Sequence, residues 1–235
     1  MGFIYNVIDA SCKGNSPDHR YQDHRRVAQS DSCLIAVVAD GLGSAIHSDR
    51  GSGLICQILT ELTQIIDWGV NDIEDTLNTC VSEWYRRLEI KKSDPHDCCT
   101  TCSVVIMNKL SNIAYLCYIG DSPIFYRADG ESVKYLSTNN EFINETECLG
   151  SSHKPIFVIN TISFSKSFDF LIASDGFGDE IILESSDALF DYFIQRYSKI
   201  RKSNRNHELK SELASTMQDK NNDDKSLIFC WIYGN

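Results

Sequence analysis

The sequence predicts an α+β fold in which mainly antiparallel sheets carry helices on their outer faces. Short apolar runs separated by turns recur along the chain, which is typical of strands paired through hairpins. Two stretches, residues 54–66 and 73–88, instead repeat apolar residues every three or four positions, as helices with one buried face do. Because such helices have to bury their apolar stripe, we expect them to pack on the sheets.

The first third of the chain contains two predicted strands and two predicted helices. Residues 3–8 and 32–39 are short, apolar and rich in strand-forming side chains. Ser48 is a typical helix cap, so we expect the first helix to follow it and to end at Trp68-Gly69. The second helix comes soon afterwards, and helices this close in sequence should pack antiparallel to each other.

Hairpins dominate the middle of the chain, and helices return before a last apolar run. Asp129-Gly130 is a strong hairpin signal between two apolar segments. A polar, irregular stretch at residues 139–154 is long enough to form a functional loop. We predict two helices at residues 188–200 and 208–217, joined by an exposed basic link. The strands predicted in this part of the chain are residues 101–107, 113–119, 124–127, 133–136, 156–162, 168–173 and 227–233.

Composition and charge exclude several classes of protein. The 235 residues are 42% hydrophobic and 23% charged, which is ordinary for a soluble globular protein, and we expect one domain over residues 1–235 and a monomer. A net charge of -11 argues against nucleic acid and against an anionic membrane as partners. No apolar run approaches about 18 residues, and residues 1–10 lack a secretory signal. We therefore expect a cytoplasmic protein.

The ten cysteines predict reduced thiols rather than a disulfide framework or a zinc site. Cys98, Cys99 and Cys102 contain one CxxC motif. A structural zinc site normally needs a second such pair, or histidines at ligand spacing, and neither is present. We expect most of these cysteines to serve as small apolar side chains in the core.

Carboxylates follow several of the predicted strands. Asp40 ends the apolar run LIAVVAD and is followed by Gly41, Asp121 lies in GDS, and Asp175 lies in SDGFGD. One strand that ends in an Asp-Gly turn is common, so Asp40 alone leaves a turn and a metal ligand equally open. Several carboxylates gathered at one edge would repel one another without cations, and a set of oxygen ligands selects Mg²⁺ or Mn²⁺ over Zn²⁺. Two such ions activate a water for attack on a phosphoryl group.

The ordered set of motifs QD, DGLG, GDS, SDGFGD and DDKS resembles the metal-dependent protein phosphatases of type 2C. The resemblance extends from Gln22 to Ile232 and includes Thr100-Thr101 before a predicted strand. It implies a four-layer α-β-β-α sandwich, in which two antiparallel sheets are flanked by antiparallel helix pairs. It also implies a phosphatase that acts on phosphoserine or phosphothreonine in proteins, opposing a serine/threonine kinase, with two Mn²⁺ or Mg²⁺ ions and a weaker third.

The resemblance also assigns roles to individual residues. Asp40 would bridge the first two ions, and Asp121 and Asp179 would hold the third. For the last motif, Asp223 is the preferred ligand, although the adjacent Asp224, where the family often has Asn, stays open. The complete predicted ligand set is Asp23, Asp40, the Gly41 carbonyl, Asp175, Asp223, Asp121 and Asp179.

Two departures from the family pattern and one match concern the substrate side of the site. The arginine that binds the substrate phosphate is displaced, so Arg20 and Lys13 are rival candidates. His47 is the best match for the histidine that acts as general acid, against an ordinary histidine at a helix start. The family's flap is reduced to about residues 141–155. Two other functions stay open: a catalytically silent relative that binds a phosphorylated partner, and a structural metal-binding domain.

Overall fold

Ten strands and five helices make up the computed structural model, which describes residues 2–15, 20–67, 72–136, 147–216 and 223–234. The helices are α1 (Ser48–Glu61), α2 (Ile73–Ile90), α3 (Asp175–Gly178), α4 (Ser186–Ser198) and α5 (Lys202–Thr216). The strands are β1 (Phe3–Cys12), β2 (His24–Gln29), β3 (Cys33–Ala39), β4 (Cys102–Asn108), β5 (Ile113–Ile119), β6 (Ile124–Ala128), β7 (Lys134–Leu136), β8 (Val158–Ser163), β9 (Ser167–Ala173) and β10 (Lys225–Gly234).

The strands form two five-stranded sheets whose paired strands are all antiparallel. One sheet has the order β1-β10-β9-β6-β7, and the other has the order β2-β3-β4-β5-β8. In the first sheet β10 lies between β1 and β9, and it is bonded to β1 along its whole length, with Phe3 opposite Gly234 and Cys12 opposite Lys225. In the second sheet every residue of β3 and β4 is buried, as expected for strands covered on both faces.

Three apolar clusters separate four layers. The cluster between the two sheets includes Val38, Phe170 and Ile228. A second cluster packs α1 and α2 on the outer face of the β2-containing sheet, and Trp84 of α2 donates its indole N–H to the Gly51 carbonyl of α1. The third packs α4 and α5 on the outer face of the other sheet. The predicted α+β class and the four-layer α-β-β-α sandwich are therefore confirmed.

The structure contains one strand that the sequence did not predict. β2 has the sequence HRRVAQ, and its side chains are exposed or half-buried because it lies at the edge of its sheet. Charged side chains are common on edge strands, where they hinder pairing with other chains. β1 is also longer than the predicted residues 3–8, because its pairing with β10 continues to Cys12.

Helix boundaries differ from the predictions in three places. Ser48 is the first residue of α1 rather than its cap; His47 takes the capping position, with no side-chain bond to the helix. α1 gives way to a tighter turn at Leu62–Gln64, and Trp68-Gly69 lies outside the described residues. The basic link predicted at residues 200–206 is mostly the first turn of α5, because Lys, Ser, Asn and Arg there do not oppose a helix.

No helix among the described residues is both long enough and apolar enough to pass through a membrane. The prediction of a single domain over residues 1–235 is untested and stays a prediction. Of the predicted flap, residues 141–146 lie outside the described residues, and residues 147–155 contain only an isolated bridge between Leu149 and Thr100.

Candidate metal centre

Three carboxylates from both sheets meet at one edge of the sandwich, and we name Asp23, Asp40 and Asp175 the inner trio. Asp40 follows β3 and Asp23 precedes β2, and the pairing of His24 with Ala39 makes these two ends neighbours. Asp175 follows β9 of the other sheet. The Asp40 carboxyl group hydrogen-bonds with those of both Asp23 and Asp175. The predicted convergence of strand ends is thus present in the structure.

Burial makes these carboxylates costly to ionise. Asp23 is 1% exposed, and burial raises its pKa to about 7, although hydrogen bonding to the Ser174 hydroxyl lowers it. Burial raises the pKa of Asp40 well above its usual range, and the charges of Asp23 and Asp175 raise it further. Burial also raises the pKa of Asp175, while its hydrogen bond with Asp40 lowers it. Carboxyl groups in such surroundings share protons unless cations replace them.

The donor atoms of the inner trio fit hard divalent cations. Within the described ranges, no three carboxylate, histidine or cysteine side chains already form a cage around a metal position; the carboxyl groups hydrogen-bond with one another instead. Asp23 Oδ2 and Asp175 Oδ1 are nevertheless buried and have no hydrogen-bond partner. Such orphaned oxygens are uncommon in folded proteins and call for an explanation. Because every candidate ligand is an oxygen, the set suits Mn²⁺ or Mg²⁺.

A second set of carboxylates lies beside the inner trio, and we name Asp121, Asp179 and Asp223 the outer trio. Asp179 and Asp223 are exposed and Asp121 is half-buried. The negative charges of Asp121 and Asp223 both raise the pKa of Asp175, and they also contribute, after burial, to the raised pKa of Asp179. The outer trio is therefore close enough to the inner trio to share its electrostatic field while remaining in contact with water.

Hydroxyl groups hold the main chain of Asp40 in place. Thr100 Oγ1 and the Thr101 amide each donate to the Asp40 carbonyl oxygen at 2.8 Å. Thr101 Oγ1 is 2.8 Å from Ser122 Oγ, in the GDS motif, so hydroxyl groups connect the main chain of Asp40 with the residue that follows Asp121. The paired threonines noted in the sequence thus have a structural role here, whereas the part played by Ser122 was not predicted.

Gly41 turns the chain directly after Asp40. A Cβ atom at this position would lie 2.8 Å from Ser48 Cβ and 2.9 Å from the Gln22 carbonyl oxygen, so any larger residue would displace the residue next to Asp23. The main chain of Gly41 forms a bridge with Thr100. The close packing explains the glycine, and the proposed role of its carbonyl oxygen as a ligand stays a prediction.

The predicted substrate-side residues lie on two neighbouring loops. The Arg20 guanidinium donates to the Ile46 carbonyl oxygen at 3.5 Å and is exposed, so it lies beside the loop that follows Asp40. His47 is half-buried at the start of α1, and its backbone N–H donates to the Asp97 carbonyl oxygen. Lys13 is exposed and follows β1 directly, in the polar segment between β1 and β2 that also contains Arg20. We name this segment, residues 13–23, the polar loop; its residues 16–19 lie outside the described residues. Arg20 and His47 thus lie on adjoining segments, and Ser48, which follows His47, packs against Gly41 of the Asp40 turn.

Sequence reasoning missed two serines that lie beside Asp23. Ser174 and Ser226 both lower its pKa by hydrogen bonding, after burial has raised it. They also hydrogen-bond to each other's main chain, because the Ser226 amide donates to Ser174 Oγ at 3.0 Å and the Ser174 amide to the Ser226 carbonyl oxygen at 2.9 Å. Both serines belong to the motifs that indicate the site: Ser174 directly precedes Asp175 in SDGFGD, and Ser226 ends DDKS. Their place in these motifs could have identified them from the sequence.

Residues 16–214 match the sequence model of protein phosphatase 2C, which covers most of the chain. The chain belongs to the protein phosphatase 2C family. The predicted family and the predicted enzyme class, a protein serine/threonine phosphatase, are thereby confirmed. No curated protein matches the sequence.

Solved structures of low sequence identity share the fold. The catalytic domain of the serine/threonine protein phosphatase PstP, in complex with two manganese ions, is 17% identical, with a TM-score of 0.70, 99% of this chain covered and 100% of that chain. The S. agalactiae serine/threonine phosphatase is 15% identical, with a TM-score of 0.72 and coverage of 99% and 100%. RsbX in complex with magnesium is 16% identical, with a TM-score of 0.63 and coverage of 97% and 95%.

Proposed function

We propose that this member of the family hydrolyses phosphoserine and phosphothreonine in proteins with the help of two Mn²⁺ or Mg²⁺ ions and a weaker third. The observation that carries the proposal is the inner trio, whose buried carboxyl groups include two oxygen atoms without hydrogen-bond partners. The solved relatives PstP and RsbX were crystallised with manganese and magnesium, respectively, which supports the choice of ions.

The inner trio, with the Gly41 carbonyl oxygen and Asp223, would hold the first two ions, and Asp40 would bridge them. Asp121 and Asp179 would hold the third. When bound, the ions would lower the pKa of a coordinated water and neutralise charge on the phosphoryl group. The carboxylates of these residues would bind the ions and hold them in position. Once ionised around cations, the carboxylates would no longer share protons with one another.

Arg20 is the preferred phosphate-binding residue. Its guanidinium lies against the loop of Ile46, next to the Asp40 turn, and a guanidinium can bind two phosphate oxygens at once. Lys13, an exposed cation without that geometry, is the rival. Arg20→Ala should raise KM for a phosphoprotein about tenfold with a smaller change in kcat, whereas Lys13→Ala should change neither if the preference for Arg20 is right.

His47 is the proposed general acid toward the leaving oxygen of the substrate. It lies on the segment that Arg20 contacts, and the bond from its backbone N–H to Asp97 fixes the main chain at that point. An acid at this place matters for a serine leaving group, which needs a proton, more than for para-nitrophenol, which leaves as an anion. His47→Gln should therefore slow hydrolysis of phosphoserine much more than that of para-nitrophenyl phosphate.

The direct test is hydrolysis by the purified chain. We expect release of para-nitrophenol from para-nitrophenyl phosphate and of phosphate from a phosphoserine peptide in the presence of Mn²⁺. EDTA should abolish both activities, and Mn²⁺ or Mg²⁺, but not Zn²⁺, should restore them. Hydrolysis that survives exhaustive chelation would contradict the proposal. Binding of the phosphopeptide without hydrolysis at any Mn²⁺ concentration would instead favour a catalytically silent member.

The partners follow from the same chemistry. A phosphatase of this specificity opposes a serine/threonine kinase, and we propose that the chain is cytoplasmic and acts on a phosphorylated protein. The monomeric state stays a prediction.

A further inference from the structure

The buried carboxylate of Asp224 contacts both ends of the polar loop that carries Lys13 and Arg20. Asp224 is 1% exposed. Its Oδ1 accepts the backbone N–H of Gly14 at 2.9 Å, and its Oδ2 accepts the backbone N–H of Gln22 at 2.8 Å. Gln22 directly precedes Asp23 of the inner trio, so one of the two bonds ends beside a candidate metal ligand.

The main chain of Asp224 is held from the opposite side by the segment that carries Asp175. A Cβ atom at Gly176 would lie 2.1 Å from the Asp224 carbonyl oxygen, so the two main chains are in close contact and only glycine fits. Ser174 Oγ donates to the same carbonyl oxygen at 3.5 Å. Asp224 therefore touches the Asp175 segment through its backbone and the Asp23 segment through its side chain.

We propose that Asp224 is a positioning residue that fixes the distance between Asp23 and Asp175 and anchors the loop of Lys13 and Arg20. The proposal rests on the proposed function for its catalytic consequence, but the anchoring itself does not. Its chemical basis is that a carboxylate has two acceptor oxygens, and each of them accepts one backbone N–H. An amide has a single acceptor oxygen, so asparagine would turn an N–H₂ group towards one of the two donors.

This arrangement gives the two adjacent aspartates of DDKS different tasks. Asp223 is exposed, and its charge acts on Asp175 and Asp179 of the carboxylate sets. Asp224 faces the polar loop instead, and its charge acts on Asp23. Replacing a residue that orients a metal ligand without binding the metal itself typically lowers metal affinity or activity by about 10-fold to 100-fold.

The test is the nearly isosteric substitution Asp224→Asn. We expect Mn²⁺ binding, measured by titration calorimetry, to weaken about 10-fold, and KM for a phosphopeptide to rise, because the loop of Arg20 loses an anchor. Hydrogen exchange measured by NMR on the chelated protein should show slow exchange of the Gly14 and Gln22 amides in the wild type. In the variant, at least one of these two amides should exchange faster.

Asp129 offers a matched control. Its carboxylate also accepts several backbone N–H groups, from Ser165, Lys166 and Ser167, but it lies at the opposite end of β9 from Asp175. Asp129→Asn should speed exchange at residues 165–167 and leave Mn²⁺ affinity and KM unchanged. A general loss of stability would alter both variants alike, whereas positioning changes metal binding in Asp224→Asn alone.

Two results would overturn the proposal. One is wild-type Mn²⁺ affinity in Asp224→Asn; the other is exchange of the Gly14 and Gln22 amides in the wild type as fast as that of an unprotected loop. The second measurement needs no variant, so it decides the matter even if Asp224→Asn does not fold. If the wild type proves inactive as a phosphatase while its amides are protected and the variant binds Mn²⁺ more weakly, the proposed function fails and the positioning role stands.

Discussion

The inner and outer trios contain the same side chain in different surroundings. In the inner trio the carboxyl groups are buried or half-buried and hydrogen-bond with one another, and Asp23 reaches a pKa of about 7. In the outer trio Asp179 and Asp223 are exposed. A carboxylate that water already solvates gains less from a cation than one that has lost its water. The inner trio should therefore depend on cations for its charge, and the third ion, held by Asp121 and Asp179 of the outer trio, should bind more weakly.

The strongest way to test this difference is to remove a charge from the inner trio. Asp40→Asn or Asp175→Asn should lower kcat about 1,000-fold or more, because bound ions supply several kcal/mol of transition-state stabilisation and each 1.4 kcal/mol is about tenfold. The same substitutions should raise the melting temperature of the chelated protein by roughly 2–4 °C, since they relieve repulsion worth about 1 kcal/mol. Turnover with Mn²⁺ and thermal unfolding with EDTA measure the two effects.

The test depends on kcat and the melting temperature changing in opposite directions, since kcat should fall while the melting temperature rises. A substitution that merely damaged the fold would lower both activity and stability. Turnover near the wild-type rate at saturating Mn²⁺ in either variant would contradict the assignment of the inner trio as metal ligands.

The next prediction concerns pH and the protein without ions. The folded-state pKa of Asp23 is about 7, above the value of 3.8 for an unperturbed Asp, so the folded chain binds this proton more tightly than the unfolded chain. The resulting stabilisation is complete below about pH 4 and is lost as the pH rises through 7. We expect the melting temperature in EDTA to fall by roughly 5 °C or more over that interval.

Asp23→Asn supplies the control for the pH dependence. This variant lacks the titrating group, so its melting temperature should change less between pH 4 and pH 7. Mn²⁺ should remove the decline in the wild type, because cations stabilise the ionised carboxylates. A wild-type curve that rises over the same interval in EDTA would show that other groups dominate.

The smallest effect is expected in the outer trio. Asp179→Ala should leave two tightly bound ions but lower turnover about 10-fold, if a weakly bound third ion assists the leaving group. Asp179 also caps the C-terminus of α3, where its backbone N–H donates to the Asp175 carbonyl oxygen, so a purely structural role is the alternative. That alternative predicts a small loss of stability with unchanged kinetics, and a Mn²⁺ titration followed by turnover separates the two.

Glu184→Ala is a suitable control for Asp179→Ala. Glu184 is an exposed acidic residue in the short turn that follows α3. Its replacement by alanine therefore changes the net charge of the chain by the same amount as Asp179→Ala. Full activity of Asp179→Ala at every Mn²⁺ concentration would rule out the third-ion role, and equal losses in both variants would indicate a general effect of charge.

The sequence predicted the central strands and most helices because their apolar pattern is strong. β3, β4 and β10 are short runs buried on both faces, and each was placed correctly to within a few residues. Sequence motifs also predicted the ends of β3 and β9 as the places where Asp40 and Asp175 meet. These features depend on hydrophobicity and on Asp-Gly turns, which are local properties of the chain.

What could not be predicted depends on contacts between distant segments. β2 has no apolar pattern, and it becomes a strand because β3 offers it hydrogen bonds at the sheet edge. The orientation of Asp224 depends on the loop that it meets, because Gly14, which donates to its carboxylate, lies 210 residues away in the sequence. The hydroxyl bond between Thr101 and Ser122 likewise joins the start of β4 to the end of β5, 21 residues apart, and no local pattern indicates it.

The pairing of β1 with β10 has a consequence for the order of folding. Asp23 and Asp40 belong to one sheet, but Asp175, Asp223 and Asp224 take their places only when β10 lies between β1 and β9. Contacts over such long sequence separations form slowly. A chain still under synthesis therefore cannot assemble the centre before β10 has emerged and paired, so ion capture and the onset of activity should follow the pairing of β10.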